Sequence, residues 1–518
     1  MGRSASIHSR KQNKHMRKTT LCLMALGLLC VLTLGSCGRA SKAEGQLNRL
    51  LRDLVENDHT VDYADWTAIR QLVEGQKDDF QRFYKDGALS PDLLKSYISD
   101  YFEDHRPSFK VAFVGIDAAD NLAVDFYLER SGSMVPYDSP QGDGAFKQAV
   151  IQMLNTLPKA NEDYRIYVVN SAVTPYPDGF GQFLSDNDIF GATKGYGDPS
   201  YTDFKAIFEQ LLNQTCNHRL SVLVTDMIYS TKSMNGINPA KIFAEARGMT
   251  TAVFKDAARR KSVLVVKLHA SYVGPYYCYD QPATPRSYSG QRPYYIVIAG
   301  DNADIARLTQ DSSFQAFTAM QSLKGYENEH LFCASELYHP YYSFLLSHPA
   351  ISGRFKAERG QEAQISRLTD LQTDPASGKI TLALAVDLSH MLIDKTYLTD
   401  PRHYDVQSSS GLKLTAIRPL DSQSLSRAEK KYAGTATHVF LLEAKRATRR
   451  DDVTISLRNE LPQWVGQSSS DDDRNLSAAS FAGTTFGLKY LLQGIDDSYR
   501  NSADGQPVYF KLQLSLTD

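Results

Sequence analysis

Between Lys110 and about Leu308, short apolar runs alternate with amphipathic helical patterns, and that alternation restricts the segment to an α/β layer fold with a mainly parallel sheet. Strands are expected at Lys110 to Gly115, Ala123 to Leu128, Tyr164 to Val169, Leu220 to Val224, Ser262 to His269 and Tyr294 to Ala299. Helices are expected at Phe146 to Thr156, Thr202 to Leu212, Pro239 to Arg260 and Ala303 to Leu308. The first of these sets Ala149, Val150, Met153 and Leu154 on one face, as a helix docked on a sheet requires.

The flanks follow other periods. From Gln46 to about Asp104, Leu47, Leu50, Leu51 and Leu54 share a helical face, and Leu93, Leu94, Tyr97, Ile98, Tyr101 and Phe102 repeat the spacing. Ser90 followed by Pro91 reads as a helix start. Beyond about Gly353 the pattern alternates in steps of two, as in Lys379 to Val386, Thr437 to Leu442, Val453 to Leu457 and Val508 to Leu516. That predicts a β-sandwich, immunoglobulin-like in architecture, interrupted by a helix near Phe486 to Ile495. The expected division is a helical lead-in at 37–106, an α/β domain at 107–325 and the sandwich at 326–518. Polar loops such as Ser468 to Asp473 separate elements, and no internal repeat is present.

Lys14, Arg17 and Lys18 precede an uncharged run from Leu21 to Leu34, the order of a secretion signal. A membrane span needs about 20 apolar residues, more than this run supplies, so cleavage is expected. The run ends in Leu34-Gly35-Ser36-Cys37, which resembles a bacterial lipobox. The resemblance implies that residues 1–36 are removed and that Cys37 carries lipid, placing the protein in the bacterial cell envelope, anchored in the outer membrane. Losing those residues takes away six basic groups and moves the formal charge from −2 to −8. Without a basic stripe, nucleic acid is excluded as a partner. Cys22 and Cys30 leave with the signal, so Cys216, Cys278 and Cys333 remain, too few and too irregularly spaced for a zinc site or a disulfide scaffold.

The chemistry centres on Tyr127 to Met134, sequence YLERSGSM, at the exit of the strand Ala123 to Leu128. Ligands of open α/β sheets bind at the carboxyl ends of strands. Hydroxyls at Ser131 and Ser133, one residue apart in a turn, can both point at one centre, with the Glu129 carboxylate beside them, and such oxygen atoms suit a hard cation. Read for backbone reasons alone, the two serines cap a helix and Asp226 ends a strand.

Glu129-Arg130-Ser131-Gly132-Ser133-Met134, between a strand and a helix, resembles the Asp-x-Ser-x-Ser motif of von Willebrand factor A domains. Thr202, in Ser200-Tyr201-Thr202-Asp203, and Asp226, in Leu223-Val224-Thr225-Asp226, match that family's second and third loops in order and separation. The resemblance covers about residues 107–310. It implies Mg²⁺ held by Ser131, Ser133 and Thr202, with Glu129 and Asp226 acting through water, and an open position that takes a carboxylate from a protein partner. Glu129 stands where the family has aspartate. Its extra methylene moves the carboxylate by about 1.5 Å, so it either coordinates directly or disturbs an octahedral site. The expected function is binding without catalysis, and a metal-free interaction protein is the neighbouring reading.

An envelope hydrolase using Ser131 or Ser133 is the rival class. Gly-x-Ser-x-Gly is absent, because Arg130 precedes Ser131 and Met134 follows Ser133, and only His218 and His269 offer themselves as a base. Asp117 and Asp120 read as a polar turn rather than a second carboxylate cluster. The tyrosines at Tyr272 to Tyr279, Tyr294-Tyr295 and Tyr338 to Tyr342 are expected to fill a seam between domains.

Overall fold

The computed structural model describes residues 42–517, except 56–58, 62, 86–87, 106–109, 114–121, 158–163, 186–187, 215–217, 230–235, 311–313, 362–363, 422, 424, 446–449 and 504. The signal segment, Cys37, Asp117, Asp120 and Cys216 lie outside the described residues. Among those described, no helix is long and apolar enough to cross a membrane. The chain divides into two compact units, ending and beginning at Ile116 and Asp117.

The first unit is built from helices at 42–55, Tyr63–Gly75 and Pro91–His105. Leu47, Leu51, Ile69, Leu94, Ile98 and Phe102 form its core, the faces that the helical spacing marks out. The strand expected at Lys110 to Gly115 does not enter the large sheet. Its described part, Ala112–Phe113, pairs in parallel with Thr60–Val61, because Phe113 packs on the core of this helical unit.

In the second unit a seven-stranded sheet comprises β1 (Ala123–Glu129), β2 (Tyr164–Val169), β3 (Val173–Pro175), β4 (Arg219–Thr225), β5 (Lys261–Tyr276), β6 (Arg286–Asp301) and β7 (Tyr326–Phe332). Its spatial order is β7-β5-β6-β4-β1-β2-β3. The expected mainly parallel sheet is instead mixed: β1 pairs in parallel with β2 and β4, and the other pairings are antiparallel. A parallel return needs a crossover, usually a helix, and the tyrosine- and proline-rich stretch between β5 and β6 supplies none. Those strands therefore close as one long hairpin with Tyr276 opposite Arg286.

Side-chain alternation gives the sheet two buried faces. Val124, Phe126 and Leu128 meet α1 (Ala145–Asn155), through Phe146, Val150 and Met153. Tyr127 on the opposite face shares a core with Phe208 and Leu211 of α2 (Phe204–Gln214) and Ala246 and Phe254 of α3 (Pro239–Phe254). α4 (Asn302–Gln310) adds Ile305 and Leu308 to the first face. Asp125, fully buried in β1, is paired with Arg165 at 2.8 Å and Arg219 at 2.7 Å, which neutralises a charge that burial alone would not tolerate.

Two further sheets follow. One holds β8 (Tyr342–Leu345), β11 (Ile380–Val386), β14 (His438–Ala444) and β13 (Lys413–Pro419). The other holds β9 (Arg354–Ala357), β10 (Arg367–Gln372), β16 (Val508–Thr517), β15 (Arg450–Arg458) and β12 (Tyr404–Gln407). Tyr404 of β12 touches Phe440 of β14 and Phe510 of β16, so one ring joins the two sheets.

Two elements from beyond residue 325 build the α/β layer. β7 extends the seven-stranded sheet, and α5 (Leu488–Ser502) lies on α3, adding Leu488, Leu491, Leu492 and Ile495 to the core shared with Tyr127. Cys278 and Cys333 are free, buried thiols, so they do not pair with each other.

Candidate binding site at the carboxyl ends of β1 and β4

The chain leaves β1 for β2 on one side and reaches β4 on the other, which makes the carboxyl end of β1 a topological switch point. Three loops meet there. The loop after β1 is tied down by Arg130 N donating to Val169 O at 2.8 Å and Gly132 N donating to Pro199 O at 3.1 Å. Asn170, fully buried, donates from Nδ2 to Arg130 O at 3.3 Å and Tyr196 O at 2.8 Å, joining the first and second loops. The third loop leaves β4 through Met227, whose φ of +55° puts a non-glycine residue in the left-handed region.

These loops place Glu129, Ser131, Ser133, Thr202 and Asp226 around one locus. Thr202 Oγ1 donates to Glu129 Oε1 at 2.6 Å, and Thr225 Oγ1 donates to Glu129 Oε2. Thr225 Oγ1 in turn accepts from Met227 N at 2.9 Å, which links the unusual backbone to the carboxylate. Ser131 Oγ and Ser133 Oγ are 3.0 Å apart. Asp226 Oδ1 accepts from Ile228 N at 3.0 Å, while Oδ2 is buried and meets no hydrogen-bond partner among the described residues.

Both carboxyls are almost wholly buried. Burial, followed by the nearby Asp226 charge, pushes Glu129 up to about 8 against the opposing hydroxyls of Thr202, Thr225 and Ser131. Burial likewise raises Asp226, opposed by the Ser133 hydroxyl, the Ile228 amide and Arg292. Two carboxylates this close and this dry cannot both carry charge comfortably without a cation.

The donor set suits a hard cation. An octahedral ion with bonds of about 2.1 Å sets adjacent ligands roughly 3.0 Å apart, and the two serine oxygens already stand at 3.0 Å. Thr202 keeps lone pairs for an ion while donating its proton to Glu129. Among the described residues, no three His, Cys, Asp or Glu side chains cluster as metal ligands, so the set consists of two carboxylates and three hydroxyls.

A cavity of about 310 Å³ opens over this locus, with Ser131, Ser133 and Thr202 on its wall. Tyr277, Tyr279, Asp473 and Phe486 also line it. A Cβ at Gly132 would stand 3.0 Å from the Tyr277 ring, so the missing side chain is what lets that ring lie against the first loop. Asp473 accepts from Tyr276 Oη at 3.0 Å and Tyr279 N at 3.2 Å, and burial pushes its carboxyl up to about 6. Arg292, only 1 % exposed, lies over the Tyr276 and Phe481 rings and donates to Phe481 O, and its charge acts on both Asp226 and Asp473.

Thr202 does not open a helix as expected. α2 begins at Phe204, and Asp203 is the residue whose carboxylate accepts from Ala206 N at 3.1 Å, leaving the Thr202 hydroxyl for Glu129. Thr225 and Asp473 carry no site expectation from sequence, and Tyr277 belongs to the stretch expected to fill a seam. Thr225 had a signal, as the hydroxyl next to Asp226; Asp473 had none, being the last residue of a run that reads as a solvated loop. The tyrosines behave in two ways: Tyr276 and Tyr279 pack against Phe481 and Phe486 within the same compact unit, whereas Tyr294 is in the α/β core against Phe146.

His218 lies just before β4, at the end of that strand remote from Asp226, and pairs with Asp304 at 3.0 Å. His269 pairs with Glu327 at 2.5 Å. The described lining of the cavity contains no histidine. Comparison with protein-family models, curated proteins and solved structures finds no match to this chain.

Proposed function

We propose that the chain is a lipid-anchored protein of the bacterial envelope whose seven-stranded sheet is a von Willebrand factor A-like domain. In this reading Ser131, Ser133 and Thr202 hold Mg²⁺, with Glu129 and Asp226 as its acidic neighbours, and the ion takes a carboxylate from a protein partner. The two C-terminal sheets are read as a β-sandwich of immunoglobulin-like architecture.

The observation that carries the proposal is the unpartnered, buried Asp226 Oδ2 beside two serine hydroxyls at the spacing of an octahedral edge. A bound ion supplies positive charge to a site where burial raises both carboxyls above their ordinary values. The partner's carboxylate would then be held by charge rather than by shape alone.

The test uses the full chain after chelation, titrated with Mg²⁺ and followed by thermal unfolding and calorimetry. At about 100 times the dissociation constant the ion should stabilise the fold by roughly 2.7 kcal/mol. The Ser131→Ala, Ser133→Ala double variant should lose that gain. If neither parent nor variant responds to divalent ions, the metal reading fails and a metal-free interaction protein is left.

A further inference from the structure

A second cavity, of about 590 Å³, shares no lining residue with the first. Glu329 and His330 of the edge strand β7 form one wall, and Arg458 at the end of β15 with Glu460 and Trp464 form another. The short helical turns Lys395–Leu398 and Pro401–His403 complete it. The volume falls within the range of small-molecule sites.

Its polar groups are incompletely paired. His330 Nε2, Arg458 Nε and Trp464 Nε1 are buried without a hydrogen-bond partner among the described residues. His330 is only 5 % exposed, and burial keeps it uncharged. Arg458 Nε stands 3.7 Å from Glu460 Oε1, near enough for attraction and too far for a hydrogen bond. Unpaired buried groups are uncommon in folded proteins, and several around one cavity point to an absent occupant.

The mixture identifies the kind of occupant. Trp464 and Arg458 need acceptors, whereas Glu329 and Glu460 are acceptors themselves. Hydroxyl groups serve both, and the Trp464 indole suits the C–H surface of a ring, whereas the Tyr397 ring is already stacked on His403. Four carboxylates outnumber two guanidinium groups in the lining, which disfavours phosphates and acidic ligands. A basic ligand fits less well than a neutral one. Asp394 Oδ1 is engaged by the Thr396 and Tyr397 amides, Asp400 is paired with Arg402 at 2.6 Å, and a cation would face both arginines.

We propose that this cavity binds a neutral saccharide of one to three rings, its hydroxyls bridging Arg458, Glu460 and Trp464 while one ring lies against the indole.

The chain has two tryptophans, Trp66 and Trp464, so Trp66→Phe leaves Trp464 as the sole indole reporter. The full chain carrying that change is screened on an array of neutral, N-acetylated and uronic acid oligosaccharides, and the strongest binder is titrated by fluorescence. Neutral or N-acetylated sugars should bind and change Trp464 emission. Glu460→Gln, at the half-exposed rim, should weaken binding roughly tenfold, the loss of one charge-assisted hydrogen bond. In the background that retains Trp66, Trp464→Phe should weaken it similarly, read by calorimetry; circular dichroism should be unchanged, since Nε1 has no partner to lose. Absence of any saccharide binding at millimolar concentration, or binding that both variants leave intact, overturns the proposal. So does preferential binding of a lysine-rich peptide that Glu329→Gln and Glu460→Gln abolish, which would assign the cavity to a basic segment.

Discussion

Glu129 carries its carboxylate one methylene farther than aspartate, and that reach places both oxygens on hydroxyls from two different segments, Thr202 in the second loop and Thr225 at the end of β4. The residue that departs from the motif is therefore integrated into the site rather than displaced from it. Its protonation has a measurable consequence. A carboxyl that titrates near 4.5 when unfolded and about 8 when folded binds its proton more tightly in the fold. That contribution to stability is complete below about pH 4.5 and is lost as the pH rises through 8. Chemical unfolding in chelator should show the metal-free protein losing stability from pH 5 to pH 8. Glu129→Gln should flatten that slope and raise stability at pH 8, because the amide keeps the volume without the buried charge.

The close approach of α3 and α5 depends on Gly494. A Cβ there would stand 2.0 Å from Thr250 Oγ1 and 2.3 Å from the Arg247 carbonyl oxygen, and the latter is backbone that cannot rotate away. Thr250 Oγ1 donates to Leu491 O at 3.0 Å and Ser498 Oγ donates to Thr251 O at 2.9 Å across the same interface. Gly494→Ala should destabilise the protein by about 1–3 kcal/mol, the usual cost of overpacking, measured as a shift in denaturant midpoint. The same contact explains why a helix so late in the chain was expected as an interruption of strands: its own periodicity was legible, but its partner is some 240 residues away.

The second unit joins the seven-stranded sheet to the later ones. A fragment ending at residue 325 lacks β7 and α5, exposing the β5 edge and the face of α3. It should aggregate or unfold without cooperativity, whereas the fragment 117–518 should unfold in a cooperative transition; calorimetry distinguishes them. At the other end of the chain, the lipid-anchor proposal predicts that Cys37→Ser moves the protein from the membrane fraction to the soluble fraction of cells and abolishes labelling by a radioactive fatty acid. Labelling of the serine variant equal to the parent would refute it.

Periodicity alone located β1, β2, β4 and α1 to within a residue or two of their ends, because alternation and helical spacing record which faces must leave water. The resemblance to the von Willebrand factor A motif, rather than periodicity, marked Glu129, Ser131, Ser133, Thr202 and Asp226 as one set. Tertiary structure decided what periodicity does not encode. β5 and β6 are buried strands whether parallel or antiparallel, and only their pairing shows that they form a hairpin. Asp473 is polar in sequence and buried in the fold, because Tyr276 Oη and the Tyr279 amide supply the hydrogen bonds that make its burial tolerable. A chain's local pattern reports how strongly each side chain avoids water; which distant groups it meets depends on topology, and here topology set both the cavity over the three loops and the second one beside β7.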